Sequence, residues 1–360
     1  MVKSFRVTTR KLVVAIGCIM LACGTDSALH GADCSQIENA LTRANAALDQ
    51  RKPAVTQRVL ATLDTVNCER VVLLTARLAE AMGNLEDAGR RYVQYTTLAP
   101  NDAKGLAYFG AFLLDNGRYP QAESASQRAS ALDPRLAEVL LLRGRILGLK
   151  GQMSKAKMAF TKAIELSPNN PEIHYQVGIF HDGQQQSHKA AASFEKVVRL
   201  TPNDPRAYDY LALNLEPTGD VERTEWAYQR GLSLNRGPRF DSFLDYNYGR
   251  FLVKKNRLEE AKKHLNRAVI LTPQARSSYY ERGKLNLKLG NLRAARDDAE
   301  RALVLKDPGG VILDLQVHYL LARIHARLGD QEEARRYSEL SRKLSIPLAA
   351  RQGKGRGLGR

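Results

Sequence analysis

The hydrophobic pattern of this chain repeats at an interval of 34 residues. Leucine returns at Leu98, Leu132, Leu166, Leu200 and Leu234, alanine at Ala88, Ala122, Ala156 and Ala190, and proline at Pro100, Pro134, Pro168 and Pro202. Three columns in phase over four consecutive units are the signature of a repeat architecture. Each unit reads as two helices and two turns. Gly110, Gly144, Gly178, Gly249 and Gly283 fall in the first helix, where only a small residue lets the second helix pack close. Gly83, Gly117, Gly151, Gly219, Gly290 and Gly329 fall between the helices, where a left-handed C-cap is required. The alanine column, continued at Ala261, Ala295 and Ala334, marks the contact of the second helix with the first. Tyr92, Phe160, Phe194 and Tyr228 fill the space four residues later. The prolines end each second helix because they cannot continue it.

This period and these columns resemble the tetratricopeptide repeat. The resemblance implies an all-α, right-handed α-solenoid of helix hairpins whose concave surface is lined mainly by first helices. Units are expected at 69–102, 103–136, 137–170, 171–204, 205–241, 242–275, 276–314 and 315–348. The fifth departs most, with Thr224 in the alanine column and Pro217 in the turn. Residues 33–68 read as a degenerate capping hairpin, with helices near 34–49 and 53–66. No single hairpin buries its apolar face, so stacking neighbours build one continuous core.

Ahead of the array, Lys3, Arg6, Arg10 and Lys11 lead into the apolar run Leu12–Ala22. That run is too short to span ~30 Å of hydrocarbon and has the size of a signal-peptide core. Residues 1–22 are therefore expected to be an export signal and 23–32 a linker. Met20-Leu21-Ala22-Cys23 resembles the lipobox of bacterial lipoproteins, which implies lipidation at Cys23. Gly24 after that cysteine implies an outer-membrane destination. Ordinary cleavage at Ala22-Cys23-Gly24, giving a periplasmic or secreted protein, is the alternative.

The net charge of +17 is partly outside the array. The four basic residues of the signal and Arg351, Lys354, Arg356 and Arg360 account for eight charges, leaving 17 − 8 = 9 on the body. A moderately basic body favours acidic partners without calling for nucleic acid. The glycine-rich basic segment 349–360 reads as disordered. Of four cysteines, Cys18 and Cys23 belong to the signal region and its cleavage site, so the body of the exported chain keeps Cys34 and Cys68, a candidate for one disulfide, two buried thiols being the alternative.

The last three units share a motif. Tyr246, Arg250 and Lys254 occupy positions i, i+4 and i+8 of one helix face; Tyr280, Lys284 and Lys288 repeat it, as do Tyr319, Arg323 and Arg327. In the family's geometry these side chains project into the groove, where tyrosine supplies contact area and the cations select carboxylates. Asn247 adds an amide and Tyr175 an upstream counterpart. The set implies a groove for a protein or extended acidic peptide; a solvated basic face is the bland alternative. The family's full carboxylate clamp is not found. Catalytic and phosphate-binding motifs are absent, so no enzyme and no cofactor are expected. His174, His181 and His188 straddle the Gly183 turn and cannot share one helix face, and neither they nor His318 and His325 are expected to hold a metal. The function implied is a non-enzymatic scaffold or assembly factor of the bacterial cell envelope, the alternative being an adaptor of a polysaccharide-export or secretion complex.

Overall fold

A computed structural model describes residues 34–50, 52–63, 68–235, 243–307 and 311–355. The expected signal, Cys23 and the linker lie outside these, as do residues 356–360 of the tail. Eighteen α-helices succeed one another, with no strand among the described residues. The cap is a 3-10 turn, Cys34–Ile37, followed by α1 (Glu38–Asp49) and α2 (Pro53–Ala61). Eight hairpins follow: α3 (Glu69–Ala81) with α4 (Leu85–Leu98), α5 (Ala103–Asp115) with α6 (Tyr119–Leu132), and α7 (Ala137–Leu149) with α8 (Met153–Leu166). Then come α9 (Pro171–Gly183) with α10 (Ser187–Leu200), α11 (Pro205–Leu215) with α12 (Val221–Leu234), and α13 (Leu244–Lys254) with α14 (Leu258–Leu271). The array closes with α15 (Arg276–Leu289) and α16 (Leu292–Val304), then α17 (Asp314–Leu328) and α18 (Gln331–Gly355).

The columns explain the hairpins. A Cβ on Gly144 would stand 2.8 Å from the Phe160 ring, and one on Gly178 would stand 2.7 Å from Phe194. The bare glycine on the first helix therefore admits the aromatic ring of the second. Ala88, Ala122, Ala156, Ala190, Ala261 and Ala295 are fully buried at the same contact. Thr224 replaces alanine in the fifth unit at no cost in polarity, because its buried hydroxyl donates to the Asp220 carbonyl at 2.6 Å. All six turn glycines adopt positive φ, from 71° at Gly117 to 86° at Gly329. At Gly83 the Asn84 N–H reaches the Ala79 carbonyl at 2.9 Å, the closure of a Schellman cap. Where glycine is missing, Gln185 and Asn256 take the left-handed conformation instead.

Five helix starts carry side-chain caps. Asp102 accepts from the Lys104 and Gly105 N–H groups, and Asn84, Asn170, Asp204 and Asp220 cap α4, α9, α11 and α12 in the same manner. Pro217 does not break the fifth unit; it sits in a short 3-10 turn, Glu216–Thr218, that ends α11. Two boundaries differ from expectation. In the cap, α2 ends at Ala61, and Cys68 sits directly ahead of α3. At the other end α18 runs through Gly355, with Pro347 inside it, so that residues 349–355, expected to belong to a disordered tail, are helical instead.

Cys34 and Cys68 are joined by a disulfide with their Cα atoms 5.9 Å apart. The bond ties the start of the cap to the start of the first full repeat, over a sequence separation of 34. In the chain-entropy account, closing such a loop stabilises by about 3–4 kcal/mol. Because a repeat array transmits stability only between neighbours, removing the bond with Cys34→Ser and Cys68→Ser is expected to act locally. Hydrogen exchange should accelerate in α1 to α3 and stay unchanged in α13 to α18; uniform acceleration along the chain would contradict this.

Candidate functional site

The three Tyr-x3-cation-x3-cation faces do exist, but the fold itself uses much of them. Tyr246 is only 8% exposed, and burial pushes its hydroxyl pKa up to about 12. Arg250 donates to Glu216 at 2.9 Å and Lys254 to the other oxygen of Glu216 at 2.7 Å, so both cations bridge to the preceding unit. Asn247 is a correction to the expected groove set: it is buried, and its amide donates to Asp209 at 2.8 Å. Tyr175 is half-buried, with its ring edge-on to Phe194 and Tyr210, and serves the core between units. Lys284 pairs with Glu281 at 2.9 Å, one turn back on its own helix, and lies over the Tyr280 ring. Lys288 and Arg327 each reach a backbone carbonyl of the unit before, those of Val253 and Leu287.

Tyr319 and Arg323 retain an outward-facing character. Tyr319 is 58% exposed, and the Arg323 guanidinium stands 5.9 Å from its ring centre. This is an exposed aromatic with a cation held against its face, a geometry suited to planar anionic groups. The histidines make local contacts: His174 with the Pro168 carbonyl, His181 with Gln186, and His318 and His325 stacked on Tyr337. Burial holds His174, His181 and His318 below the usual imidazole range. Among the described residues, the one grouping with ligand atoms close enough for a metal is Cys34, Cys68 and Glu69, and its two sulfurs are bonded to each other.

Sequence reasoning missed a second region. A cavity of about 460 Å³ opens among the first helices of the N-terminal units, from the end of α1 to the starts of α9 and α11. Its walls carry both signs of charge, and the cations there are paired. Arg77 donates to Asp49 at 2.7 Å and to Asn45, and stacks 4.2 Å from the Tyr108 ring centre. Arg145 is bound to Asp115, and Glu138 to Lys104 at 2.9 Å. Glu80 differs: it takes a hydrogen bond from the Tyr92 hydroxyl at 2.7 Å. Burial, with the charges of Asp115 and Glu172 against it, drives its pKa up to about 7, against the opposing pull of Tyr92 and Arg77. A signal for this region was present: Arg77 follows Ala76 and Arg145 follows Gly144 as Arg250 follows Gly249 and Lys284 follows Gly283. The cation column of the last units thus recurs upstream at Arg77 and Arg145, with the uncharged Ala111 between them.

Family models described as tetratricopeptide repeat match residues 246–311 in one case, and residues 137–170 and 315–341 in another. No curated protein matches the chain. Among solved structures it is similar to the APC/C hetero-tetramer Cut9-Hcn1, with a TM-score of 0.64 and 16% identity over 86% of this chain and 63% of that one. It is also similar to the human IFIT1 dimer with PPP-AAAA, with a TM-score of 0.57 and 18% identity over 87% of this chain and 76% of that one. At such identities the likeness shows the solenoid fold alone.

The raised pKa of Glu80 has a consequence for stability. A carboxyl whose folded value lies above its unfolded value of about 4.5 leaves folding unpenalised at lower pH, and destabilises progressively as pH rises toward 7 and beyond. The full penalty is on the order of 3 kcal/mol. Glu80→Gln, which keeps an acceptor for Tyr92, is expected to raise the melting temperature at pH 8 and to leave it nearly unchanged at pH 4.5. An equal shift at both pH values would show that Glu80 is not the titrating group.

Proposed function

This chain is a tetratricopeptide-repeat protein, and we propose that it acts without catalysis as a scaffold or assembly factor of a bacterial cell envelope, holding partner proteins against its first-helix surface. The repeat itself supports protein–protein interaction. The observation that carries the site is the continuity of that surface: first helices of successive units line a cavity at one end and present Tyr319 with Arg323 at the other. A solenoid with exposed aromatic and charged groups along one face offers an extended surface on which a partner segment lies across several units.

Three finer elements belong to this reading. The exposed Tyr319–Arg323 pair, flanked by Arg327, favours an acidic segment at the C-terminal end. The apolar run before Cys23 favours export, with lipidation of Cys23 tethering the array to the outer membrane. A polysaccharide-export or secretion complex that needs a lipid-held adaptor is the alternative setting. No nucleic acid is invoked, and the similarity to IFIT1 does not bring one.

The deciding experiment is affinity capture from envelope extract with the wild-type chain and with a Tyr319→Ala, Arg323→Glu double variant. These two side chains contact each other at the exposed end, so helical circular dichroism and melting temperature should not change. Loss of a captured protein from the variant alone is expected and would identify the partner. Captures that match in composition and yield would refute the C-terminal surface as the binding face. Incorporation of a labelled fatty acid, abolished by Cys23→Ser, is the expected outcome for the anchor.

A further inference from the structure

The array contains one Glu–Tyr element twice. Glu80 stands four residues after Ala76 and accepts from Tyr92 of the second helix at 2.7 Å; Glu216 stands four residues after Ala212 and accepts from Tyr228 at 2.5 Å. The two tyrosines occupy the same column, four residues after Ala88 and Thr224. Each glutamate lies twelve residues before its tyrosine.

The elements differ in what the following unit delivers. At Glu216 the next first helix supplies Arg250 and Lys254, one and five residues after Gly249, and each grips a separate carboxylate oxygen. At Glu80 the corresponding positions, one and five residues after Gly110, are Ala111 and Asp115. Both line the cavity together with Glu80 and Tyr92. One position is thus reduced to a methyl group and the other reversed in sign. The cations near Glu80 are engaged on other groups, Arg77 on Asp49, Asn45 and the Tyr108 ring, and Arg145 on Asp115. The walls also include Leu141, Leu142 and Ala107, which suit the alkyl stem of a long side chain.

We propose that the cavity at Glu80 receives a cationic side chain, an arginine or lysine of an extended partner peptide, whose head group occupies the place beside the Glu–Tyr element that Arg250 and Lys254 occupy at Glu216. The proposal rests on the reading of the first-helix surface as the peptide-binding surface, and adds a basic anchor at its N-terminal end. The chain supplies its own template: within one molecule, an equivalent carboxylate, hydrogen-bonded by the equivalent tyrosine, holds a guanidinium and an ammonium. A bound cation also relieves the mutual repulsion of Glu80, Asp115 and Glu172, so binding strengthens as pH rises through the range in which Glu80 ionises.

The test uses the full chain and two capped peptides, Gly-Ser-Arg-Ser-Gly and the same sequence with citrulline for arginine, titrated by calorimetry or NMR at pH 8 and low salt. Citrulline keeps the shape of arginine and removes its charge. The arginine peptide is expected to bind about tenfold tighter or better, the difference a charge-assisted pair makes. Glu80→Gln should erase that preference. Ala111→Arg should erase it as well, by placing inside the chain the cation that Arg250 provides at Glu216, and should raise the melting temperature. Should Ala111→Arg fail to fold, the near-isosteric Glu80→Gln still decides. Equal binding of the two peptides, no binding of the arginine peptide, or a preference that survives Glu80→Gln would overturn the proposal. A chain that captures partners from extract but shows no preference for arginine loses the cation site and keeps the scaffold function.

Discussion

The structure depends on how closely the two helices of a hairpin approach. The contact is made of almost nothing: a bare glycine on the first helix at Gly144 or Gly178, an alanine on the second at Ala156 or Ala190, and one ring slotted above them. With side chains this small, backbones draw together and the ring of Phe160 or Phe194 is fully enclosed. A methyl group at the glycine would meet that ring well inside van der Waals contact. Because glycine or alanine recurs at this contact, successive units present similar outer faces to their neighbours, and repeated stacking generates a solenoid. Insertions are tolerated only outside the contact. That is where the extra residues of the fifth and seventh units lie, after α12 and after α16.

The residues that make this contact are those that could be read from the sequence, and for a physical reason. Small residues, turn glycines and terminating prolines act within a single hairpin, so their consequences repeat at the period of the hairpin. Gly83, Gly117, Gly151, Gly219, Gly290 and Gly329 all take the left-handed turn that their spacing demanded. The polar groups behave otherwise. Asn247 looked like a groove amide because its helix face was known, yet its partner Asp209 is 38 residues away. The same holds for Arg250 and Lys254 with Glu216, at separations of 34 and 38. A column in the sequence shows which face a side chain leaves from, but not which neighbour it meets between units.

Much of the charge on this basic chain is consequently spent on joints. Arg70 with Glu38, Arg77 with Asp49, Arg145 with Asp115, Lys150 with Glu123, Arg223 with Glu195, Arg257 with Glu225 and Arg276 with Asp314 all cross from one part of the array to another. The exposed pairs among them, Arg70 with Glu38 and Lys150 with Glu123, contribute roughly 0–1 kcal/mol each, little beside the burial of the apolar columns. Their effect is on register, because a unit slipped against its neighbour would set like charges together. Each pair cancels one charge of each sign, so the positive excess of the chain, +17, is left intact for solvent or a partner to meet.

Pairing across joints also gives a way to recognise a site. In a repeated fold, a buried group at one position has copies elsewhere, and the copies show what normally satisfies it. Glu216 and Glu80 are such copies, each hydrogen-bonded by the tyrosine twelve residues on. One joint closes with two cations from the next helix, and the other meets a methyl group and a third carboxylate. A packing role alone does not account for that difference, since an uncharged residue at Glu80 would pack as well without the cost of a carboxyl held near pH 7. Arg77 offsets part of that cost from within the chain, and the proposed cation of a partner would offset the rest. The cavity beside Glu80 is open at the first-helix surface, where a partner can bring one.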